Sequence, residues 1–272
     1  MNTKIQKWGN TGAFLAMVTV NLLANIIPIG IGNTGEVSGK YANLFTPAPF
    51  TFSIWGVIYL LMLIFVLYQW GLFDSNANSS KIRKSIGPWF VISCILNIGW
   101  IFAWHYDVIW LSAVLIAALL LSLIAVNGRN HTHDMKTVDT LCVTVGFDIY
   151  FGWIIAATIA NISVFLTSIG WNGWGLSDSF WTVIVVLAGA VIGAAVVLTQ
   201  HRWLSGISII WAYGGIAFRH FTASDHTNGS IYIIAALFTG MAAIVCAIVF
   251  SAIKRSLRYR PVCGIGRNAL PK

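Results

Sequence analysis

Three apolar segments of this 272-residue chain carry Trp, Tyr and Asn side chains at helical spacing. Residues three, four, seven or eleven positions apart lie on one face of a helix. Trp and Tyr rings offer a stacking surface and an N–H or O–H donor, and amide side chains offer polar anchors, so such faces are typical of a small-molecule cavity. The same faces also suit the packed core of a helix bundle, and the spacing leaves both interpretations open. The residues are Trp55, Tyr59, Asn97, Trp100, Trp104, Tyr150, Trp153 and Asn161.

Asp148 is the acidic residue that the sequence places well inside an apolar segment, seven residues beyond Leu141. We expect no Lys or Arg at matching depth to pair with it. One interpretation is a protonated acid that hydrogen-bonds a neighbouring helix. The other is a proton-binding or cation-binding group in a ligand cavity or transport path. Both interpretations stay open at this point.

Groups that carry out catalysis do not stand out in the sequence. We find no nucleophile with a matching base, no phosphate-binding loop, and no His and Cys spacing typical of a metal site. The sequence therefore favours binding or transport over enzyme catalysis, with no metal and no required cofactor.

The elements that must position these residues are predicted to be membrane-spanning helices. The chain is 58% hydrophobic and 9% charged, whereas soluble domains carry about 25% charged residues. Apolar runs of roughly 17 to 25 residues are long enough to cross a bilayer. We therefore predict an all-α, polytopic integral membrane helix bundle with about eight spans, of which the seventh is the shortest. The spans are residues 12–31, 50–70, 88–104, 108–126, 141–165, 180–198, 203–218 and 231–253.

The basic residues predict an orientation. With the N-terminus in the cytoplasm, 14 of the 16 Lys and Arg residues, Arg202 among them, fall on the cytoplasmic side, and Lys40 and Arg219 fall outside. This positive-inside bias predicts that both termini are cytoplasmic, and it accounts for the net charge of +8 without a nucleic-acid partner. We expect a five-helix transmembrane domain at residues 1–170, three further spans at 171–254 and a basic cytoplasmic tail at 255–272.

The 13 Trp residues divide into two groups. Eight fall at the ends of spans, where Trp belts form in any multi-span protein. The other five are predicted to lie deeper in the bilayer. These deeper residues are Trp55, Trp100, Trp104, Trp153 and Trp211.

Several of these segments resemble the TspO/MBR family, the tryptophan-rich sensory proteins that include the translocator protein. The run Trp55-Gly-Val-Ile-Tyr59-Leu-Leu-Met62 is similar to its Trp-x-x-x-Tyr-Leu-Leu-Met pattern. Leu96-Asn97-Ile-Gly-Trp100 resembles its Leu-Asn-x-x-Trp, and Tyr150-Phe-Gly-Trp153 resembles its Tyr-x-x-Trp. In the first loop, Tyr41-Ala-Asn-Leu44 and Pro47 resemble the family's Tyr-Ala-x-Leu and its proline before the second span. The patches occur in the family's order across residues 12–167.

The resemblance implies a five-helix fold with a cavity beneath the first loop, where Tyr41, Leu44 and Pro47 lie. TspO-like proteins bind porphyrins and other tetrapyrroles, cholesterol-like lipids and synthetic aromatic ligands there. It also implies a homodimer. Longer bacterial members resemble this chain, so we expect it in a bacterial cytoplasmic membrane. Carried over by position, the cavity-lining residues are Trp55, Tyr59, Asn97, Trp100, Trp153 and Ala157.

Three functional hypotheses follow. The first is a membrane receptor or carrier for a hydrophobic aromatic ligand such as a porphyrin, with Asn97, Asn161 and Asp148 holding its polar groups. The second is a proton-coupled secondary transporter that uses Asp148. The third is a Trp-dependent, light-driven degradation of porphyrins.

Overall fold

The chain folds as a bundle of helices. The computed structural model describes residues 3–27, 29–41, 43–73, 77–130, 137–223 and 228–258, and these residues contain no strand. The predicted all-α membrane bundle is confirmed. The helices are α1 (Thr3–Ile26), α2 (Thr34–Lys40), α3 (Ile54–Gln69), α4 (Ala77–His105), α5 (Ile109–Asn130), α6 (Thr137–Asp139), α7 (Val145–Ser168), α8 (Asp178–Gln200), α9 (Trp203–Thr222) and α10 (Asn228–Arg258). Pro49–Ser53 and Gly173–Gly175 are 3₁₀ helices, and the π-helical turn Thr140–Thr144 joins α6 to α7.

Seven helical segments within the described ranges are long and apolar enough to cross a membrane. Helix α9 occupies the predicted seventh span but is not among them. Its sequence carries Arg219, His220 and several Ser and Gly residues, which lower its hydropathy. The eighth crossing therefore stays a prediction, and so does the placement of both termini on one side.

Several helices extend beyond their predicted spans. Helix α1 begins at Thr3 and α4 at Ala77, because polar residues before each apolar run continue the helix. Pro88, predicted to begin the third span, lies inside α4. Helix α10 continues to Arg258, so it includes the first residues of the predicted tail. Residues 259–272 lie outside the described part of the chain.

The first loop contains the short helix α2, which its sequence signals. The side-chain oxygen of Asn33 accepts hydrogen bonds from the N–H groups of Gly35 and Glu36, both at 3.0 Å. The Glu36 carboxylate accepts one from the Asn33 N–H at 2.9 Å. This reciprocal pair is a capping box, and it begins a helix at Thr34.

Helix α7 joins the first five spans to the last three helices. It packs against α3 and α5 of the first group and against α8 and α9 of the second, while α8, α9 and α10 pack on one another. Gly152 makes the contact with α9 close, because a Cβ atom at this position would lie 2.2 Å from the Ser205 carbonyl oxygen. The last three helices are therefore packed onto the same bundle as the first five.

Candidate functional site

Trp55 lies at the centre of a buried aromatic cluster. Its ring centroid is 5.6 Å from that of Tyr59, 5.8 Å from those of Trp100 and Tyr150, and 6.1 Å from that of Trp153. These distances are typical of attractive ring pairs. The three helical faces predicted from the spacing therefore converge on one place.

An apolar cavity of about 40 Å³ lies beside this cluster. Helices α3, α4 and α7 form three of its walls, α9 forms a fourth, and the first loop covers it. The share contributed by α9 was not predicted from the sequence. The lining side chains include Trp55, Trp100, Trp104, Trp153, Ala157, Asn161, Phe45, Pro47, Ala212 and Ile216.

Small residues on α7 create this space. Ala156, Ala157 and Ala160 follow Trp153 at intervals of three, four and seven residues, so they lie on the same helical face. All three line the cavity. A Trp next to a patch of Ala leaves a hollow that neighbouring helices do not fill.

Two buried N–H groups in the cavity wall lack a hydrogen-bond acceptor. The indole N–H groups of Trp100 and Trp153 have no partner among the described residues. The neighbouring Trp104 differs, because its N–H donates to the backbone carbonyl of Thr34 at 3.1 Å. Tyr59, which was predicted to line the cavity, does not line it; its ring stacks on Trp55, and its hydroxyl is buried without a partner among the described residues. Buried donors of this kind are uncommon in folded proteins.

The predicted amide anchors divide between the cavity and the bundle core. Asn97 does not line the cavity; it accepts a hydrogen bond from Asn21 at 2.7 Å and donates one to the Tyr150 hydroxyl at 3.1 Å. Asn161 does line the cavity, and its side-chain oxygen accepts from Ser112 at 3.0 Å. Asn97 and Tyr150 thus connect α1, α4 and α7, whereas Asn161 is part of the cavity wall.

The first loop covers the cavity through Phe45 and Pro47. Of the other predicted loop residues, Leu44 lines an adjacent cleft, and Tyr41 is half-buried and lines neither space. One end of the loop is tied to the end of α4 by an ion pair between Lys40 and Asp107. The hydrogen bond with Asp107 raises the pKa of Lys40.

Helix α9 holds the other end of the loop through four hydrogen bonds. Its side chains donate to two carbonyl groups of the loop and to one of the adjoining 3₁₀ helix, and its Gly215 carbonyl accepts from the N–H of Ala48 at 3.0 Å. The sequence signal for this role was the isolated basic residue Arg219 near an outer loop, to which no role was assigned. The side-chain bonds are Trp211 to Thr51 at 2.9 Å, Arg219 to Thr46 at 3.2 Å and His220 to Leu44 at 2.8 Å.

Trp211 was predicted to lie deep in the bilayer, and the structure places it on the outer face of the bundle. Its side chain is 40% exposed, whereas those of the other four deeper Trp residues are at most 8% exposed. It lies on the outer side of α9, where its N–H still reaches the loop.

Asp148 forms an ion pair with Arg202, so the expectation that no basic residue would pair with it is wrong. Arg202, which was predicted to lie on the cytoplasmic side, has a side chain that is only 2% exposed. Only His201 and Arg202 separate α8 from α9, and this tight connection directs the guanidinium group between α5 and α7. Arg202 also donates to the side chain and the carbonyl of Asn127.

This ion pair is separate from the cavity, because neither partner lines it. Two opposite charges in contact stabilise each other where neither is hydrated. Asp148 therefore does not hold the polar groups of a ligand in this cavity. Its role as a proton-binding group stays a prediction.

Comparison with known proteins supports the family resemblance. The chain matches the model of a family described as TSPO-like protein over residues 7–250, a range that includes α8, α9 and most of α10. No curated protein and no solved structure matches the chain. Since the family match extends over most of the chain, and the Trp-lined cavity lies within it, the chain belongs to the TSPO-like protein family.

Proposed function

We propose that this membrane protein is a receptor or carrier that binds a flat, hydrophobic aromatic ligand in the Trp-lined cavity. The family resemblance suggests a porphyrin or a related tetrapyrrole. The observation that carries the proposal is the pair of buried N–H groups of Trp100 and Trp153 without acceptors in the wall of an apolar cavity.

A ligand with hydrogen-bond acceptor atoms would remove the free-energy cost of the two unpaired N–H groups. A buried donor without a partner costs about 1 to 3 kcal/mol. Ring nitrogens or carbonyl oxygens on an aromatic ligand would accept from these two groups, while the indole faces stack on its rings. The apolar lining from Ala156, Ala160 and Ile216 suits the body of such a ligand.

Binding requires the cavity to open. Its volume of about 40 Å³ is well below the roughly 300 to 1,000 Å³ of sites that enclose small molecules. We expect the first loop to be the part that moves, since hydrogen bonds worth about 1 kcal/mol each hold it to α9. The helices beneath it are held by extensive apolar packing. Ligand entry therefore displaces the loop and rotates the side chains under it.

Quenching of Trp fluorescence by protoporphyrin IX, titrated in the dark, tests this proposal. Darkness separates binding from light-driven degradation. We expect saturable quenching in the wild type and much weaker quenching when Trp100→Phe and Trp153→Phe are combined. The matched control combines Trp8→Phe and Trp110→Phe, because these side chains are 67% and 60% exposed at the ends of other helices.

The control variant removes the same number of indoles without touching the cavity, so its dissociation constant should equal that of the wild type. If the Trp100 and Trp153 double variant keeps the wild-type dissociation constant, the ligand does not bind in this cavity and the proposal is wrong.

A further inference from the structure

A second, larger space lies beside the cavity and is separated from it by Phe45. This cleft has a volume of about 510 Å³, within the range of small-molecule sites. Phe45 lines both spaces and is 3% exposed. A movement of this one side chain with its loop would join the cleft to the cavity.

The walls of the cleft come from the loop, the end of α7, the beginning of α8 and Arg219 of α9. Trp171 and Trp181 form a rigid apolar side, since their ring centroids are 5.1 Å apart and the Trp181 N–H donates to the Gly173 carbonyl at 2.8 Å. The sequence placed both Trp residues in an interfacial belt. In the structure they also line a site.

Arg219 is half-buried in this cleft and has donors to spare. A guanidinium group has five N–H donors. One nitrogen of Arg219 donates to the Thr46 carbonyl, and no carboxylate lies within 4.0 Å of Arg219 among the described residues. A planar, permanently charged donor of this kind matches a carboxylate group through two parallel hydrogen bonds.

Asp178 is the other charged residue of the cleft. It is exposed and lies in the first turn of α8, where the helix dipole stabilises a negative charge. Water and salt screen an exposed charge more than a half-buried one. The cleft therefore favours a negatively charged group, because the charge of Arg219 outweighs that of Asp178.

From these contacts we infer that the cleft is the polar half of the binding site and takes the carboxylate of an amphipathic ligand. The ligand class is a flat aromatic carboxylic acid. Its carboxylate pairs with Arg219, and its apolar body passes Phe45 into the Trp-lined cavity. The inference rests on the proposed function and adds the chemical class of the ligand. It also assigns to α9 a part in recognition.

The test compares protoporphyrin IX with its dimethyl ester, which keeps the aromatic body and loses both charges. Dissociation constants are measured in the dark for the wild type, Arg219→Gln, Arg219→Lys and Arg255→Gln. We expect the wild type to bind the acid about tenfold or more tightly than the ester, since a hydrogen bond to a charged group is a strong one. Arg219→Gln should remove this preference, and Arg219→Lys should keep part of it. Arg255→Gln, an equal change at an exposed position of α10, should leave it intact.

The ratio of acid to ester affinity shows whether Arg219 binds the carboxylate of the ligand or only holds the loop in place. Loss of the bond to Thr46 would weaken binding of both compounds equally and leave the ratio unchanged. Asp178→Asn should tighten acid binding, because it removes a repulsive charge.

An unchanged ratio in Arg219→Gln overturns the inference, and so does a wild type that binds acid and ester equally well; in both cases the cavity proposal survives. Failure of both compounds to bind the wild type refutes the proposed function and the inference with it. If Arg219→Gln does not fold, the wild-type ratio and Arg219→Lys decide the question.

Discussion

Two buried polar features of helix α7 lie close together and differ in one respect. Asp148 and Trp153 are five residues apart, about 7.5 Å along the helix axis. The carboxylate of Asp148 is paired with Arg202, and packing around it is close enough that Gly152 touches α9. The N–H of Trp153 has no acceptor in the described residues, and its ring borders an empty space.

The difference shows that the free-energy cost of burying a polar group without a partner limits which groups a helix bundle can leave unpaired. An unpaired buried charge costs several kcal/mol, so a fold that buries Asp148 in its charged form has to supply a partner. An unpaired indole N–H costs less and can be left for a ligand. Polarity inside a membrane bundle is therefore a weak indicator of a binding site, and an unsatisfied polar group next to a cavity is a stronger one.

We expect the largest loss of stability when the ion pair between Asp148 and Arg202 is broken. Asp148→Asn should lower the free energy of unfolding by about 3 to 5 kcal/mol, because Arg202 is left buried without its countercharge. Chemical unfolding in detergent measures this loss. The double variant Asp148→Leu with Arg202→Met removes both charges and should recover most of it. A single variant as stable as the wild type would indicate that Asp148 is protonated and that the pair contributes little.

We expect intermediate effects on stability and binding when carbon atoms are added at two positions of α7. Gly152→Ala places a Cβ atom against the backbone of Ser205 and should cost about 1 to 3 kcal/mol of stability. Ala160→Val instead fills the cavity and should keep the stability while weakening porphyrin binding about tenfold. Thermal unfolding measures the stability of both variants, and the quenching titration measures their porphyrin affinity. Equal destabilisation by both substitutions would show that the cavity is not available space.

We expect the smallest changes in stability from substitutions of two Trp residues that lie one turn apart on α4. Trp104→Phe should cost about 1 kcal/mol of stability, because it removes the hydrogen bond to Thr34. Trp100→Phe removes an N–H that has no described partner, so it should cost less stability and lower porphyrin affinity about fivefold. Denaturant midpoints and dissociation constants distinguish the two variants. Equal stability losses would contradict the assignment of a free donor to Trp100.

The aromatic faces were predictable because they depend on local spacing. Trp55, Trp100 and Trp153 each follow a helical interval within one apolar run, and their helices bring them together as predicted. The contribution of α9 was not predictable in this way. Arg219 and Thr46 are 173 residues apart, and no local pattern indicates that they meet.

Composition alone determined that this chain is a helical membrane protein, because the free energy of transfer into a bilayer is close to a sum over residues and does not depend on how the helices pack. Spacing alone determined which aromatic side chains share a helical face. Only the tertiary structure decided which buried polar groups are satisfied, because that depends on contacts between distant segments. It paired Asp148 with Arg202 and joined Asn97 to Tyr150. It also left Trp100 and Trp153, which line a cavity that α9 helps to close, with N–H groups that have no acceptor among the described residues.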